Sequence, residues 1–135
     1  MDPVVHFEMP AVDRDRMARF YEAVFGWETQ QMGPEMGSYT VVSTTPPGEQ
    51  GRPPGWLGIN GGFYMRTDDP ASHAPGIVIA VEDIEASMSE VQRSGGTVAG
   101  PAQEIPGVGL YASFTDTEGN RVSLLQPAPR DAPAS

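Results

Sequence analysis

Two stretches of this chain carry the same punctuation at a fixed distance, and that repetition limits the folds open to it. Asp13 precedes an amphipathic run that stops at Gly26, and Asp83 precedes a second that stops at Gly96; in both cases the later marker follows the earlier by 70 residues. An aspartate before an apolar-periodic run accepts a hydrogen bond from an unpaired first-turn N–H, and a glycine after it ends the helix in a left-handed conformation. The same offset places Gly76 opposite His6, each at the start of a strand pattern. A shared offset across a strand and a helix points to an internal duplication of a strand–helix–three-strand module, and therefore to an α+β fold. Only punctuation and strand pattern repeat: the offset sets Glu90 opposite Phe20 and Ser87 opposite Met17.

In the first half, Val4–Met9 alternates as a strand, with Val4, His6 and Glu8 on one face and Val5, Phe7 and Met9 on the other. The following helix has Met17, Phe20, Tyr21, Val24 and Phe25 in one stripe, which predicts a buried face. Trp27–Gln31 and Tyr39–Thr44 are expected as strands around a turn at Gly33–Gly37. Thr45–Gly55 is too rich in proline and glycine for helix or interior strand, so it reads as a loop. Trp56–Ile59 resumes a strand, and Asn60-Gly61-Gly62 either ends it in a turn or lets a ligand approach the backbone.

The second half restarts after Arg66–Pro75, which reads as a linker. Gly76–Val81 is an apolar strand, and the helix after Asp83 turns Ile84, Met88 and Val91 inward. Thr97–Ala99, Leu110–Thr115 and Arg121–Gln126 follow as strands, with a turn at Asp116–Asn120. The expected organisation is one domain over residues 1–127, with modules at about 4–65 and 76–127, and a disordered tail at 128–135.

Composition excludes several chemistries. The chain has no cysteine and no lysine, so thiolate nucleophiles, thiolate metal ligands and side-chain Schiff bases are absent. Its net charge of −10, with eight scattered arginines, argues against nucleic-acid binding. No run approaches the roughly 20 apolar residues of a membrane span, and no signal peptide or disulfide framework is legible, so the cytoplasm is the expected compartment. Gly107-Val-Gly109-Leu-Tyr-Ala112 matches a loose dinucleotide fingerprint, but a strand follows it where a helix must open.

His6 is a candidate general base, since an imidazole titrates near neutrality, and Glu8 shares its face. Tyr39, Trp56, Tyr64, Tyr111 and Phe114 lie at or near strand ends, where the walls of a small-molecule cavity are expected. Asn60 beside Gly61 pairs an orienting amide with bare backbone. Asp68, Asp69 and His73 have metal-ligand chemistry, but a polar loop of that composition is ordinarily just solvated.

The chain resembles the vicinal oxygen chelate superfamily, which includes glyoxalase I, extradiol dioxygenases, and bleomycin- and fosfomycin-resistance proteins. The likeness is carried by His6-Phe-Glu-Met-Pro10 with Asp13, Arg19-Phe-Tyr21 through Phe25-Gly-Trp27, Val81-Glu-Asp-Ile84, Gly95-Gly-Thr-Val98, Val108-Gly-Leu-Tyr111 and Asp116-Thr-Glu-Gly-Asn120. It implies two tandem βαβββ modules whose strands form a curved mixed sheet around a cavity, usually completed in a homodimer. In many members it also implies a divalent metal, held by one ligand from the first and one from the last strand of each module. Here His6 stands at one such position, Gly76 at its counterpart, Ser123 at the last-strand position, and the first module's last-strand position, near Gly58–Asn60, offers no carboxylate. One imidazole cannot hold a transition metal, so no metal or other cofactor is expected. Two functions fit: a metal-independent protein that binds a small, aromatic or polyketide-like molecule, with Ser123 among its contacts, or an enzyme using His6 and Glu8 in acid–base chemistry (isomerase, cyclase, epimerase, lyase) or a divalent metal, as in dioxygenases.

Overall fold

The computed structural model describes residues 1–45 and 58–129. The expected site residue Trp56, the first half of its expected strand, nearly all of the Thr45–Gly55 loop and most of the expected tail lie outside them. The architecture is α+β, a curved mixed β-sheet with two helices. The chain gathers into two compact units, one of Val5–Pro75 and one of Met1–Val4 with the chain from Gly76.

In the first unit, β1 (Val4–Ala11) leads into α1 (Arg14–Phe25), then β2 (Glu28–Gln31), β3 (Thr40–Ser43) and β4 (Asn60–Met65). β4 runs parallel to β1 and antiparallel to β3, which is antiparallel to β2. The cap works as its chemistry predicts: the Asp13 carboxylate accepts from the Arg16 N–H at 3.0 Å. At the other end Gly26 has φ 72°, and its N–H donates to the Glu22 carbonyl. The expected turn at Gly33–Gly37 contains a short 3₁₀ turn, Pro34–Met36, closed by a left-handed Gly37.

The core of this unit is Ala11, Val42 and Phe63, against which Phe7, Met9, Met17, Tyr21, Trp27 and Met65 pack. Tyr21 stacks on Trp27 with ring centroids 4.6 Å apart. Each such large apolar side chain taken from water contributes about 1.5–3 kcal/mol. The expected burial of the whole α1 stripe is corrected. Met17 and Tyr21 reach the core, but Phe20, Val24 and Phe25 are 54%, 55% and 61% exposed. A single helix facing one sheet buries a strip narrower than its apolar stripe.

A second correction concerns β4. The strand begins at Asn60, so Asn60-Gly61-Gly62 does not form a turn but lies inside the sheet, opposite His6, Phe7 and Glu8 of β1.

The second unit repeats the plan. β5 (Gly76–Ala80) leads into α2 (Ile84–Arg93), followed by β6 (Thr97–Val98), β7 (Gln103–Ile105), β8 (Gly109–Thr115) and β9 (Arg121–Pro127). β9 is parallel to β5 and antiparallel to β8, on which β6 and β7 also pair. Asp83 accepts from the Ala86 N–H at 3.1 Å, the counterpart of the Asp13 cap. Val81, Ile84, Ala112 and Leu124 form the core, with Ile79, Met88, Ala102, Leu110 and Phe114 against it. The strand β7 had no expectation in the sequence, and the stretch read as a linker holds a 3₁₀ turn, Pro70–His73, capped by Asp69. Among the described residues no helix is long and apolar enough to cross a membrane.

Candidate functional site

The register of the first unit sorts its side chains onto two faces. Phe7, Met9 and Phe63 face α1 and the core; His6, Glu8 and Pro10 of β1 alternate to the other face, with their partners Asn60, Gly62 and Tyr64 on β4. Val41 pairs with Gly62, so it lies on this second face, as does Tyr39 two residues before it.

On that face the His6 Nε2 lies 3.2 Å from the Tyr39 hydroxyl. Tyr39 reaches it because Gly62 has no side chain: a methyl group at that position would overlap the tyrosine hydroxyl and ring. His6 is half-buried, and burial pulls its pKa below the usual imidazole value, with the nearby Glu8 charge opposing the shift. The imidazole is therefore neutral at neutral pH. The hydroxyl donates to Nε2 when the ring proton sits on Nδ1, and Nε2–H donates to the hydroxyl oxygen when it sits on Nε2.

Tyr39 is held from behind. The guanidinium of Arg14, on α1, donates to the Met32 carbonyl at 2.7 Å and the Ser38 carbonyl at 2.9 Å. Ser38 has φ 55°, a left-handed conformation that costs a non-glycine residue about 1 kcal/mol or more, and Arg14 bonds the carbonyl of that residue. Sequence reasoning passed over Arg14. A cation in the first turn of a helix opposes the helix dipole, and that local mismatch was the available signal of a tertiary role.

The other expected site residues divide. Tyr64 shares the His6 face, with its hydroxyl donating to the Ala74 carbonyl at 2.8 Å. Asn60 also pairs with His6, but its side-chain oxygen accepts from the Thr44 and Thr45 N–H groups and the Thr45 hydroxyl, so it ties down the segment after β3. Gly61 is on the opposite face, its bare backbone covered by the Phe7 ring. Phe114 packs on the core of the second unit under α2 rather than on a ligand wall. His73 bonds the Thr67 carbonyl at 2.7 Å and Asp69 caps the 3₁₀ turn, so this stretch is held by local structure. A depression of about 390 Å³ opens elsewhere in the first unit, between Pro10–Asp13 and Arg16, Met17 and Phe20; the His6 group does not line it.

In the second unit the Tyr111 hydroxyl lies 2.5 Å from the Ser123 hydroxyl, and Arg121 donates to the Ser113 hydroxyl at 2.9 Å. Ser113 pairs with Ser123 as Val41 pairs with Gly62, so Tyr111, two residues before Ser113, is the structural counterpart of Tyr39.

A family model described as "Glyoxalase/Bleomycin resistance protein/Dioxygenase superfamily" matches residues 4–124. The chain belongs to this superfamily. A glyoxylase-like domain-containing protein of Didymella fabae is 29% identical over 114 residues, 84% of each chain. Among solved structures, methylmalonyl-CoA epimerase from Mycobacterium tuberculosis matches with a TM-score of 0.66 at 15% identity, covering 93% of this chain and 88% of the epimerase. A superfamily member from Vibrio splendidus 12B01 matches with a TM-score of 0.60 at 15% identity, covering 93% and 99%. These two structural likenesses establish the fold.

Superfamily membership makes the metal positions worth testing against the register. Glu8 pairs with Gly62, and Val78, its equivalent 70 residues later, pairs with Ser123. The first unit's last-strand position is thus Gly62, not the expected Gly58–Asn60. The four positions hold His6, Gly62, Gly76 and Ser123: one imidazole, one hydroxyl and two glycines. This donor set does not fit a divalent transition metal. Nor does any group of three or more His, Asp or Glu side chains converge among the described residues.

Proposed function

We propose that this protein binds a small organic molecule on the His6 face of its first unit and moves a proton on it without a metal, as an isomerase- or epimerase-type enzyme. One observation carries the reading: a half-buried imidazole with a lowered pKa, 3.2 Å from a tyrosine hydroxyl and on the same strand face as Glu8. A neutral imidazole has a lone pair able to accept a proton, and Glu8 stabilises the imidazolium that results. Tyr64, on the same face, supplies a wall. The working form is a homodimer in the cytoplasm.

The test is deuterium wash-in from D₂O, followed by proton NMR, on a panel of enolisable acids and thioesters that includes methylmalonyl-CoA, pyruvate and a 1,3-diketone. Wild type is expected to exchange at least one probe roughly 100-fold faster than His6→Ala, the usual scale of general-base catalysis. If every probe exchanges at the same rate with both proteins, the proton-transfer reading falls. Native mass spectrometry of protein purified without chelator checks the rest: a stoichiometric transition metal overturns metal independence, and a monomer overturns the dimer.

A sequestering protein is the second reading. It is favoured by Tyr64, whose hydroxyl is committed to the Ala74 backbone and whose ring is then a passive wall. In that case His6→Ala leaves ligand affinity nearly unchanged and no probe exchanges.

A further inference from the structure

We propose that the depression at the corner between β1 and α1 is a binding site for a small amphiphilic monocarboxylate, an aryl- or alkyl-carboxylate whose apolar body rests on Val12, Met17 and Phe20 and whose charge meets Arg16. The site is separate from the His6 face and does not depend on the reading given for it.

The depression holds about 390 Å³, within the range of small-molecule sites, and all of its walls belong to the first unit. Phe20 and Val12 are 54% and 65% exposed, so an apolar body laid against them removes from water a surface that the fold leaves wet.

The charges of α1 are sorted around it. Asp15 and Glu22 reach β2, where Gln31 and Thr29 donate to them. Arg14 is committed to the Met32 and Ser38 carbonyls, and Asp13, which also lines the depression, is committed as the cap that accepts from the Arg16 N–H. The Arg16 guanidinium, by contrast, has no hydrogen-bond or ion-pair partner among the described residues. It is the charged donor left over in the lining. A guanidinium fork takes both oxygens of a carboxylate. A dianion such as phosphate would set two charges against the Asp13 carboxylate for the same single guanidinium, so a monoanion is the better fit.

The duplicated module supplies the control. At the offset of 70, Val12, Arg16, Met17 and Phe20 correspond to Glu82, Ala86, Ser87 and Glu90. The second unit starts its helix with nearly the same cap geometry, yet carries two carboxylates, a methyl and a hydroxyl at these positions. Glu82 and Glu90 are exposed, and Glu90 pairs with Arg93. A strand–helix corner of this kind therefore forms without an apolar wall and without an arginine. Of the four first-unit residues only Met17 also packs on the core, so the apolar character of Val12 and Phe20 is not a requirement of the fold.

The experiment titrates phenylbutanoate and octanoate, with their uncharged primary amides, into the intact protein while following the NMR signals of Ala11, Val12 and Met17. Both carboxylates are expected to shift these signals saturably and to bind more tightly than their amides. Arg16→Gln keeps the backbone N–H that serves the cap. It is expected to lose roughly 5- to 10-fold in carboxylate affinity, the scale of a charge-assisted hydrogen bond reduced by solvent screening, with amide binding changed less than about twofold. Phe20→Glu puts the second unit's chemistry into the first; it is expected to abolish binding of every probe while moving the melting temperature by no more than about 2 °C. Carboxylate binding weaker than about 10 mM for both probes overturns the proposal, as does equal carboxylate affinity in wild type and Arg16→Gln. Shifts confined to the His6 face overturn it too. So does a dimer that Phe20→Glu dissociates in sedimentation, which would seat a second copy of the chain on this wall. Should Phe20→Glu fail to fold, the Arg16→Gln comparison decides by itself.

Discussion

The two units place a tyrosine at the same register position and surround it differently. In the first, the first-strand side chain is an imidazole, His6, and the last-strand position beneath the tyrosine is empty, Gly62. In the second the occupancy is exchanged: the first-strand position is empty, Gly76, and the last-strand position holds a hydroxyl, Ser123. The lesson is that the duplicated frame tolerates either arrangement, because both positions lie on the sheet face turned away from the helix and contribute nothing to the cores. The hydrophobic clusters and the proposed site thus lie on opposite faces of the same strands, and substitutions on each face have distinct consequences.

The largest effects belong to the core faces. Phe63, 1% exposed, and Ile84, fully buried, are the principal core side chains of their respective units. Phe63→Ala is expected to destabilise by about 3–5 kcal/mol and Ile84→Ala by about 2–5 kcal/mol, measured by urea unfolding. Native-state hydrogen exchange sharpens the comparison. Faster exchange confined to the unit carrying the substitution would show that each unit has its own core, and a uniform increase would show one cooperative core.

Next come the two tyrosine seats. Gly62→Ala forces a methyl group into the Tyr39 hydroxyl and is expected to cost about 1–3 kcal/mol, the range for overpacking. Ser123→Ala only removes a hydrogen-bond partner from Tyr111 and is expected to cost about 1 kcal/mol. The reverse order would mean that the Tyr39 ring moves aside freely and that its position over Gly62 is not imposed by the fold.

The parts legible in the sequence were those set by local chemistry. Asp13, Gly26 and Asp83 mark helix ends through backbone groups within a few residues of themselves, so their spacing exposed the duplication directly. The faces of β1 followed from period-two alternation, which put His6 and Glu8 together. What stayed hidden depended on partners far along the chain. Asn60-Gly61-Gly62 has the composition of a turn, yet pairing with β1 and β3 draws it into a strand, where Phe7 and Tyr39 cover the two glycines. Phe114 is aromatic and near a strand end, but the parity of β8 sends it to the helix side with Leu110 and Ala112. The contact between Tyr39 and His6 spans 33 residues and needs a glycine on a third strand, which no local pattern encodes.

The helix caps give a smaller and matched pair of effects. The backbones of Asp13 and Asp83 are nearly identical, with φ and ψ of −125° and 100° in one and −135° and 101° in the other, and each carboxylate accepts from the third residue beyond it. Asp13→Ala and Asp83→Ala are therefore expected to lower the melting temperature by similar amounts, a few degrees each. A markedly unequal pair of melting shifts would break the equivalence of the two helix starts.

The smallest effect is a pH dependence confined to one unit, since Gly76 leaves the second with no imidazole at this position. Burial lowers the folded-state pKa of His6, while the groups facing it on its own side are the Tyr39 hydroxyl and the Glu8 carboxylate, whose charge opposes the shift. Because the unfolded chain takes up the proton more readily, the contribution of neutral His6 is complete above the unfolded value of 6.5 and is lost as pH falls through it and on through the folded value. The stability of wild type minus that of His6→Gln is thus expected to decline from about pH 7.5 to about pH 5. Asp13 and Asp116 have the opposite charge type but the same sign of linkage. Their pKa values are lowered, Asp13 mainly by the Arg16 backbone N–H and Asp116 mainly by the Asn120 side chain, so their contributions persist until pH falls below the model-peptide value of 3.8. The two windows are separate, and urea unfolding of both proteins at each pH resolves them. A flat difference between wild type and His6→Gln across the upper window would mean that the imidazole is as well solvated folded as unfolded, and the proton acceptor of the first unit would then have to be sought in Glu8.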